Sequence, residues 1–292
     1  MRTRVFAIII AFFVGCSGPD KTITLPTRDA FIESLLSKMT LEEKIGQMSQ
    51  STGSWETTGP IIADSSTLDL VRTGRLGSFL NVFGAERTRK AQEIAVNGSR
   101  LGIPLIFGYD MIHGYATTFP IPLAEAASWD LELIKKSAAI TALEASAAGL
   151  HWNFAPMVDI ARDPRWGRIM EGAGEDPWWG SQVAIARVKG YQGNDLKSLS
   201  TIAATAKHFA GYGAAEGGRD YNTTEISEHT LRDVYLVPFQ AAAKAGVAAF
   251  MNGFNDLNGT PATANKFLVR QILKKEWDWK GLVVSDWASV QE

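Results

Sequence analysis

The sequence predicts an α/β fold of the closed (β/α)8 TIM-like barrel type, incomplete at its C-terminus. Two observations carry this reading. Short apolar runs alternate with longer helical patterns from Thr27 onward, and every such run ends in a polar or charged residue. Runs of that kind are strands buried on both faces, as in parallel sheets. Six are visible, at residues 75–80, 103–109, 151–160, 202–207, 247–251 and 282–285, and residues 45–48 can conceal another. Their polar ends are Asn81, Asp110, Asp159, Lys207 with His208, Asn252 and Asp286. In a barrel such ends converge on one face, whereas a doubly wound sheet binds its ligand beside only one or two strands.

The helices are expected at residues 30–39, 41–48, 86–100, 131–148, 179–191, 227–244 and 265–277. Thr40 is the natural N-cap of the second, and Gly246 ends the sixth. No internal repeat or low-complexity tract interrupts the alternation.

The first 16 residues form a separate leader. Arg2 and Arg4 precede an unbroken apolar run of residues 5–14, too short to span a bilayer and suited to the h-region of an export signal. Phe13-Val14-Gly15-Cys16 resembles a bacterial lipobox with Cys16 as the lipidated residue; an ordinary secretory signal cleaved nearby is the alternative. Residues 17–26, polar with two prolines, form a tether, so the expected location is the periplasm or the outer membrane, with membrane contact only through a lipid anchor. Cys16 is the single cysteine, which leaves the body without a disulfide. A net charge of −2 supplies no basic surface for nucleic acid. The four histidines show no metal-ligand spacing, and no cofactor motif is present.

Four segments can carry chemistry. In Leu282-Val283-Val284-Ser285-Asp286-Trp287, a buried strand delivers a carboxylate and then an aromatic. Such an Asp can attack an anomeric carbon, and Trp287 can stack on a sugar face. Alone, the same Asp would read as a helix cap. Lys207 and His208 offer two donors at a strand end, a pair that is uninformative by itself. The loop Arg162-Asp163-Pro164-Arg165-Trp166-Gly167-Arg168, followed by Glu171, is dense in charge and needs internal pairing: Asp163 with Arg165 to pin the loop, and one arginine held by a glutamate to reach a ligand. Gly108-Tyr109-Asp110-Met111-Ile112-His113-Gly114 ends a strand in a carboxylate able to accept two hydroxyls.

These four motifs, in this order and approximate spacing, resemble family 3 glycoside hydrolases, over residues 27–292. The likeness is greatest to the periplasmic β-glucosidase branch, through Tyr212 to Asn222 (YGAAEGGRDYN) and Asn252 to Ala262 (NGFNDLNGTPA). The resemblance implies a retaining, exo-acting β-glycosidase that releases terminal β-D-glucosyl residues from an oligosaccharide or glucoside through a covalent glycosyl-aspartate. It assigns Asp286 as nucleophile and Asp110, Arg168, Lys207 and His208 as glycone ligands. Glu171 then braces Arg168, Trp287 walls the site, Arg219 contacts substrate, and His113 holds a turn.

Two features depart from the family pattern. Phe254 stands where many relatives carry a tyrosine beside the nucleophile. No acid/base glutamate matches, since in most of these glucosidases it comes from a second α/β domain, expected downstream of a barrel cut off after the nucleophile strand. Glu175 and Glu216 sit on no matching motif. A branch that uses a loop histidine as acid/base is disfavoured, because that loop reads Gly211-Tyr212-Gly213 and a phenol of pKa about 10 is a poor proton donor near neutrality. A β-xylosidase, a phosphorylase of the same family, and a non-catalytic glycan-binding lipoprotein remain alternatives; nine tryptophans suit the last.

Overall fold

The computed structural model describes residues 27–52 and 65–290. The leader, the lipobox with Cys16 and the tether lie outside them. By its contacts the chain divides after Met39. Of the first unit the described part is one helix, α1 (Arg28–Lys38), capped by Thr27 Oγ1, which accepts from Ala30 N at 3.3 Å. Among the described residues no helix is long and apolar enough to cross a membrane.

The second unit begins at Thr40 with the expected cap. Thr40 Oγ1 accepts from Glu43 N, and Glu43 Oε2 accepts from Thr40 N at 2.9 Å, closing a capping box on α2 (Leu41–Gln47). Glu43 also takes Arg100 Nε at 3.0 Å, tying this helix to the end of α4 (Ala85–Gly98). The strand suspected at 45–48 is not there, because those residues belong to α2 and the turn after it. The strand is β1 (Gln50–Thr52), short and polar. Helices α3 (Ser65–Arg72) and α5 (Pro122–Ala127), α6 (Leu131–Ala147), α7 (Pro177–Gln192), α8 (Glu228–Thr230) and α9 (Val237–Lys244) follow along the chain. The single helix expected over 227–244 is broken. After α8 the turn widens, Leu236 N bonding to Leu231 O five residues back, and Pro238, which has no N–H to donate, sits in the first turn of α9. The helix at Phe267–Glu276 has the same wide winding and ends with Trp277 N on Ile272 O.

The remaining strands are β2 (Ser78–Leu80), β3 (Ile106–Tyr109), β4 (Trp152–Asn153), β5 (Thr205–Phe209), β6 (Ala249–Asn252), a hairpin of β7 (Asp256–Leu257) and β8 (Thr260–Pro261), and β9 (Leu282–Val284). Strands β1-β2-β3-β4 form one parallel sheet, and β5-β6-β9 another. Parallel bridges Trp152↔Ala203 and Met157↔Lys207 stitch β4 and its extension to the β5 segment, giving seven parallel strands in chain order among the described residues. The fold is therefore α/β with parallel sheets, as the alternation predicts. The outer strands β1 and β9 form no ladder with each other among the described residues.

Alternation along each strand separates two apolar layers. Phe79, Phe107, Phe209 and Phe250 are fully buried in the larger core, which also contains residues of α4, α6, α7 and α9. Here Phe79 and Phe107 stack at 5.9 Å, and Phe209 packs edge-on against Phe239 and Phe250. Trp152, Phe154, Ala249 and Met251, with Leu80 and Val284, form a second cluster on the opposite side. Helices α6 and α7 approach so closely at Gly190 that a Cβ there would lie 2.4 Å from Lys135 O.

Candidate active site

All seven parallel strands, through Gln50, Leu80, Ile106, Trp152, Lys207, Met251 and Val284, line one cavity of about 700 Å³. Asp110, Arg168, His208, Asp286 and Trp287 also face it. The structure thus brings together six of the residues singled out from sequence. Glu171 stands behind Arg168 and is not part of the lining. Arg219 is exposed and does not reach the cavity; its guanidinium lies beside Gly217.

Asp110 follows β3 directly. The turn after it is fixed by buried Asn153, whose Oδ1 accepts from Met111 N at 2.9 Å, and by His113, whose Nδ1 meets Phe119 O at 2.9 Å. His113 therefore has the turn-holding place expected of it. Asp110 Oδ2 accepts from Lys207 Nζ at 2.8 Å. The lysine side chain is only 2 % exposed and the aspartate 48 %, so the pair joins the wall of the site to its mouth.

The loop after β4 pairs internally as expected. Asp163 takes the backbone N–H and guanidinium of Arg165, at 3.0 and 2.9 Å to Oδ1. Trp166 is buried and donates Nε1 to Asp220 Oδ1 at 2.9 Å, which gives Asp220, in the same segment as Arg219, an anchoring place. Arg168 then meets Glu171 in two parallel bonds of 2.8 and 3.0 Å across the short helical turn Ile169–Glu171. Burial opposes the Arg168 charge, but the Glu171 carboxylate more than offsets it and raises the guanidinium pKa.

Tyr212 lies between these groups. Its ring meets Trp166 at 5.2 Å and His208 at 5.0 Å, and the Arg168 guanidinium sits 5.5 Å from its centroid. Burial, then Asp220, pushes the phenol above its ordinary range, consistent with its exclusion as a proton donor. Gly213 makes this arrangement possible: a Cβ there would lie 2.3 Å from Ile160 O. Phe254 packs on Tyr221 at 4.6 Å and offers no hydroxyl.

Asp286 lies two residues beyond β9. Its Oδ1 accepts from Trp287 N at 2.6 Å, while Oδ2 is buried without a hydrogen bond, 3.5 Å from His208 Nε2. Nearby cations are expected to keep such a carboxylate acidic, yet burial outweighs Lys207 and Arg168 and pushes its pKa to about 6. Trp287 is 44 % exposed at the rim.

One residue of this constellation has no role from sequence. Asp159 Oδ2 accepts from His208 N at 2.9 Å and contacts His208 Nδ1 at 2.8 Å, with both side chains 1 % exposed. The only signal for it is its place among the polar strand ends.

The profile of the "Glycosyl hydrolase family 3 N terminal domain" matches residues 40–292. The chain is 40 % identical over 270 residues to a periplasmic β-glucosidase of Salmonella typhimurium, covering 92 % of this chain and 35 % of that protein. It is 35 % identical over 262 residues to a β-xylosidase of Formosa agariphila, covering 88 % and 32 %. The crystal structure of a Listeria innocua β-glucosidase in complex with isofagomine superposes with a TM-score of 0.83 at 44 % identity, covering 90 % of this chain and 37 % of that one. The chain spans about a third of the length of each of these relatives. A profile match over nearly the whole second unit, with these identities, places the chain in glycosyl hydrolase family 3, of which it carries the N-terminal domain.

Proposed function

We propose that this chain is the glycone-binding and nucleophile-bearing part of a retaining, exo-acting β-glucosidase. The observation that carries the reading is the buried, unbonded Oδ2 of Asp286 opening on a cavity that also holds Lys207–Asp110, Arg168 and His208. A glycan-binding protein has no need of an unsatisfied carboxylate among cations. The seven parallel strands around that cavity support a TIM-like barrel, with β1 and β9 flanking the place of a further strand.

In this reading Asp110, Lys207, His208 and Arg168 fix the hydroxyls of a terminal glucose, Glu171 braces Arg168, and Trp287 covers one sugar face. Asp286 Oδ2 attacks the anomeric carbon. A glycosyl ester forms as the glycosidic C–O bond breaks, and the leaving oxygen takes a proton from an acid. Water, deprotonated by the conjugate base, then opens the ester and releases glucose. Among the described residues two carboxylates line the cavity, Asp110 and Asp286, and Asp110 is held by Lys207. The proton donor is assigned, as the family resemblance implies, to a second α/β domain of the full-length protein. Export is part of the same proposal and agrees with the periplasmic β-glucosidase of Salmonella, while the lipid on Cys16 and the short tether are proposed from the leader sequence.

The test is a 2-fluoro-glucosyl trapping reagent on the full-length protein with mapping of the adduct; a label on any residue other than Asp286 overturns the assignment. The Formosa relative favours a second reading, a β-xylosidase. Comparison of kcat/KM for chromogenic β-glucoside and β-xyloside separates the two, and inorganic phosphate as acceptor tests for a phosphorylase.

A further inference from the structure

A single oxygen of Asp159 meets two nitrogens of His208, and the two contacts differ in kind. The backbone N–H at 2.9 Å can only donate, so Oδ2 accepts there. The ring Nδ1 at 2.8 Å is either a donor to that oxygen or an acceptor from it. The other end of the ring decides between them. His208 Nε2 points at Asp286 Oδ2, 3.5 Å away, and that oxygen is buried with no other partner. A bare Nε2 would set two lone pairs facing each other in a buried site, whereas a protonated Nε2 aims a donor at Oδ2, the carboxylate oxygen that Trp287 N–H does not serve. Burial and the neighbouring Arg168 and Lys207 disfavour a charged ring; with Nε2–H present and the ring neutral, Nδ1 accepts, and the proton between the residues belongs to Asp159 Oδ2.

We infer that Asp159 is a positioning residue: as a neutral carboxylic acid it holds His208 in the tautomer whose proton lies on Nε2, aimed at Asp286. The inference deepens the proposed function and rests on Asp286 being its nucleophile. Independent features agree with it. Asp159 Oδ1 is buried without a partner, which disfavours a full negative charge on that carboxyl. Burial pushes Asp159 up to about 8 against the pull of Arg168 and Lys207, with Glu171 adding to the rise, and burial with the same two cations holds His208 well below its ordinary value. The groups facing the pair are thus Arg168, Lys207, Glu171, Tyr212 and Asp286. Phe254 supplies no hydroxyl, and among the described residues the His208 ring is the group aimed at Asp286 Oδ2.

The chemistry makes Asp159→Asn a sharp probe. Only a carboxylic acid can accept the backbone N–H and donate to Nδ1 through one oxygen. An amide oxygen in that place accepts both, moves the ring proton to Nδ1, and leaves Nε2 bare toward Asp286. In the full-length protein labelled with 15N-histidine, the wild type is expected to show a pyridine-type Nδ1 and a pyrrole-type Nε2 for His208, and Asp159→Asn the reverse. The variant is expected to lose kcat/KM on a chromogenic β-glucoside by on the order of tenfold or more, the kind of penalty a wrong tautomer carries, with the acid limb of its pH profile displaced upward. A pyrrole-type Nδ1 in the wild type overturns the inference. So does an Asp159→Asn enzyme with wild-type kcat/KM and pH profile; a loss of activity alone does not separate the two tautomers, because an amide beside a ring that donates Nδ1–H also costs activity, and the nitrogen spectrum does. The wild-type spectrum needs no variant and no turnover, so its outcome is separable from that of the trapping experiment at Asp286.

Discussion

Replacing Asp286 by Asn is expected to make the protein more stable near neutrality, and the gain is expected to depend on pH in a defined direction. In the folded protein the carboxyl pKa stands at about 6, against 3.8 for the free group. A carboxyl whose folded value is raised binds its proton more tightly folded than unfolded. Its contribution therefore favours folding below about pH 4 and is lost as the pH rises through about 6. A gap of about 2 pH units at about 1.4 kcal/mol each is worth about 3 kcal/mol at pH 7. The side chain is only 13 % exposed, so solvent screening takes little from that figure. Asn carries no charge at any pH and escapes the cost. Urea unfolding of wild type and Asp286→Asn at intervals from pH 4 to pH 7 should show the difference in unfolding free energy moving in favour of the variant by up to about 3 kcal/mol across the range. A gap constant with pH, or one that moves toward the wild type, would refute the claim that burial dominates the Asp286 environment.

The same carboxyl fixes the acid side of the activity profile: kcat/KM on a β-glucoside should fall about tenfold per unit below about pH 6, as a nucleophile must be ionised, and a pH–rate series reads it directly. Glu125 and Arg187 form a buried ion pair, at 10 % and 4 % exposure, with Arg187 also donating to Ile112 O. Glu125→Ala should cost about 3–5 kcal/mol by leaving the guanidinium uncompensated, seen as a lower urea midpoint. Gly213→Ala places a methyl 2.3 Å from Ile160 O, a backbone atom. The expected loss is about 1–3 kcal/mol, in a thermal melt, with KM rising as Tyr212 shifts against Arg168 and His208.

The parts of the fold that were legible are those whose residues announce their own environment. Strands β5 and β6 are buried along their whole length, and β2, β3 and β9 are apolar although only partly covered, with Ile106 and Leu282 exposed; the run of polar residues at their ends pointed to one shared face. Strand β1 was illegible because Gln50, Ser51 and Thr52 carry no apolar signal and are only half buried. Helices α3 and α5 are short and were not anticipated. The break near Leu236 was foreseeable in principle from Pro238, but the helical periodicity on either side conceals it. Within the site, Asp110, Arg168, Lys207, His208 and Asp286 were recovered as a set from ordered motifs. Asp159 was not, because its pairing with His208 depends on the bridge Met157↔Lys207, a contact across about 50 residues that no local pattern encodes. The raised pKa of Asp286 has a related cause: motifs that place cations near a carboxyl say nothing of how little water reaches it.

If the proposed function holds, the pairing inside the cavity sets how a sugar would be received. The ammonium of Lys207 and the guanidinium of Arg168 each already have a counter-ion from the chain, in Asp110 and Glu171. A visiting hexose is uncharged, and it meets a lattice of donors and acceptors whose long-range field is quenched locally. Discrimination then rests on where each hydroxyl falls, and background electrolyte has little grip on it.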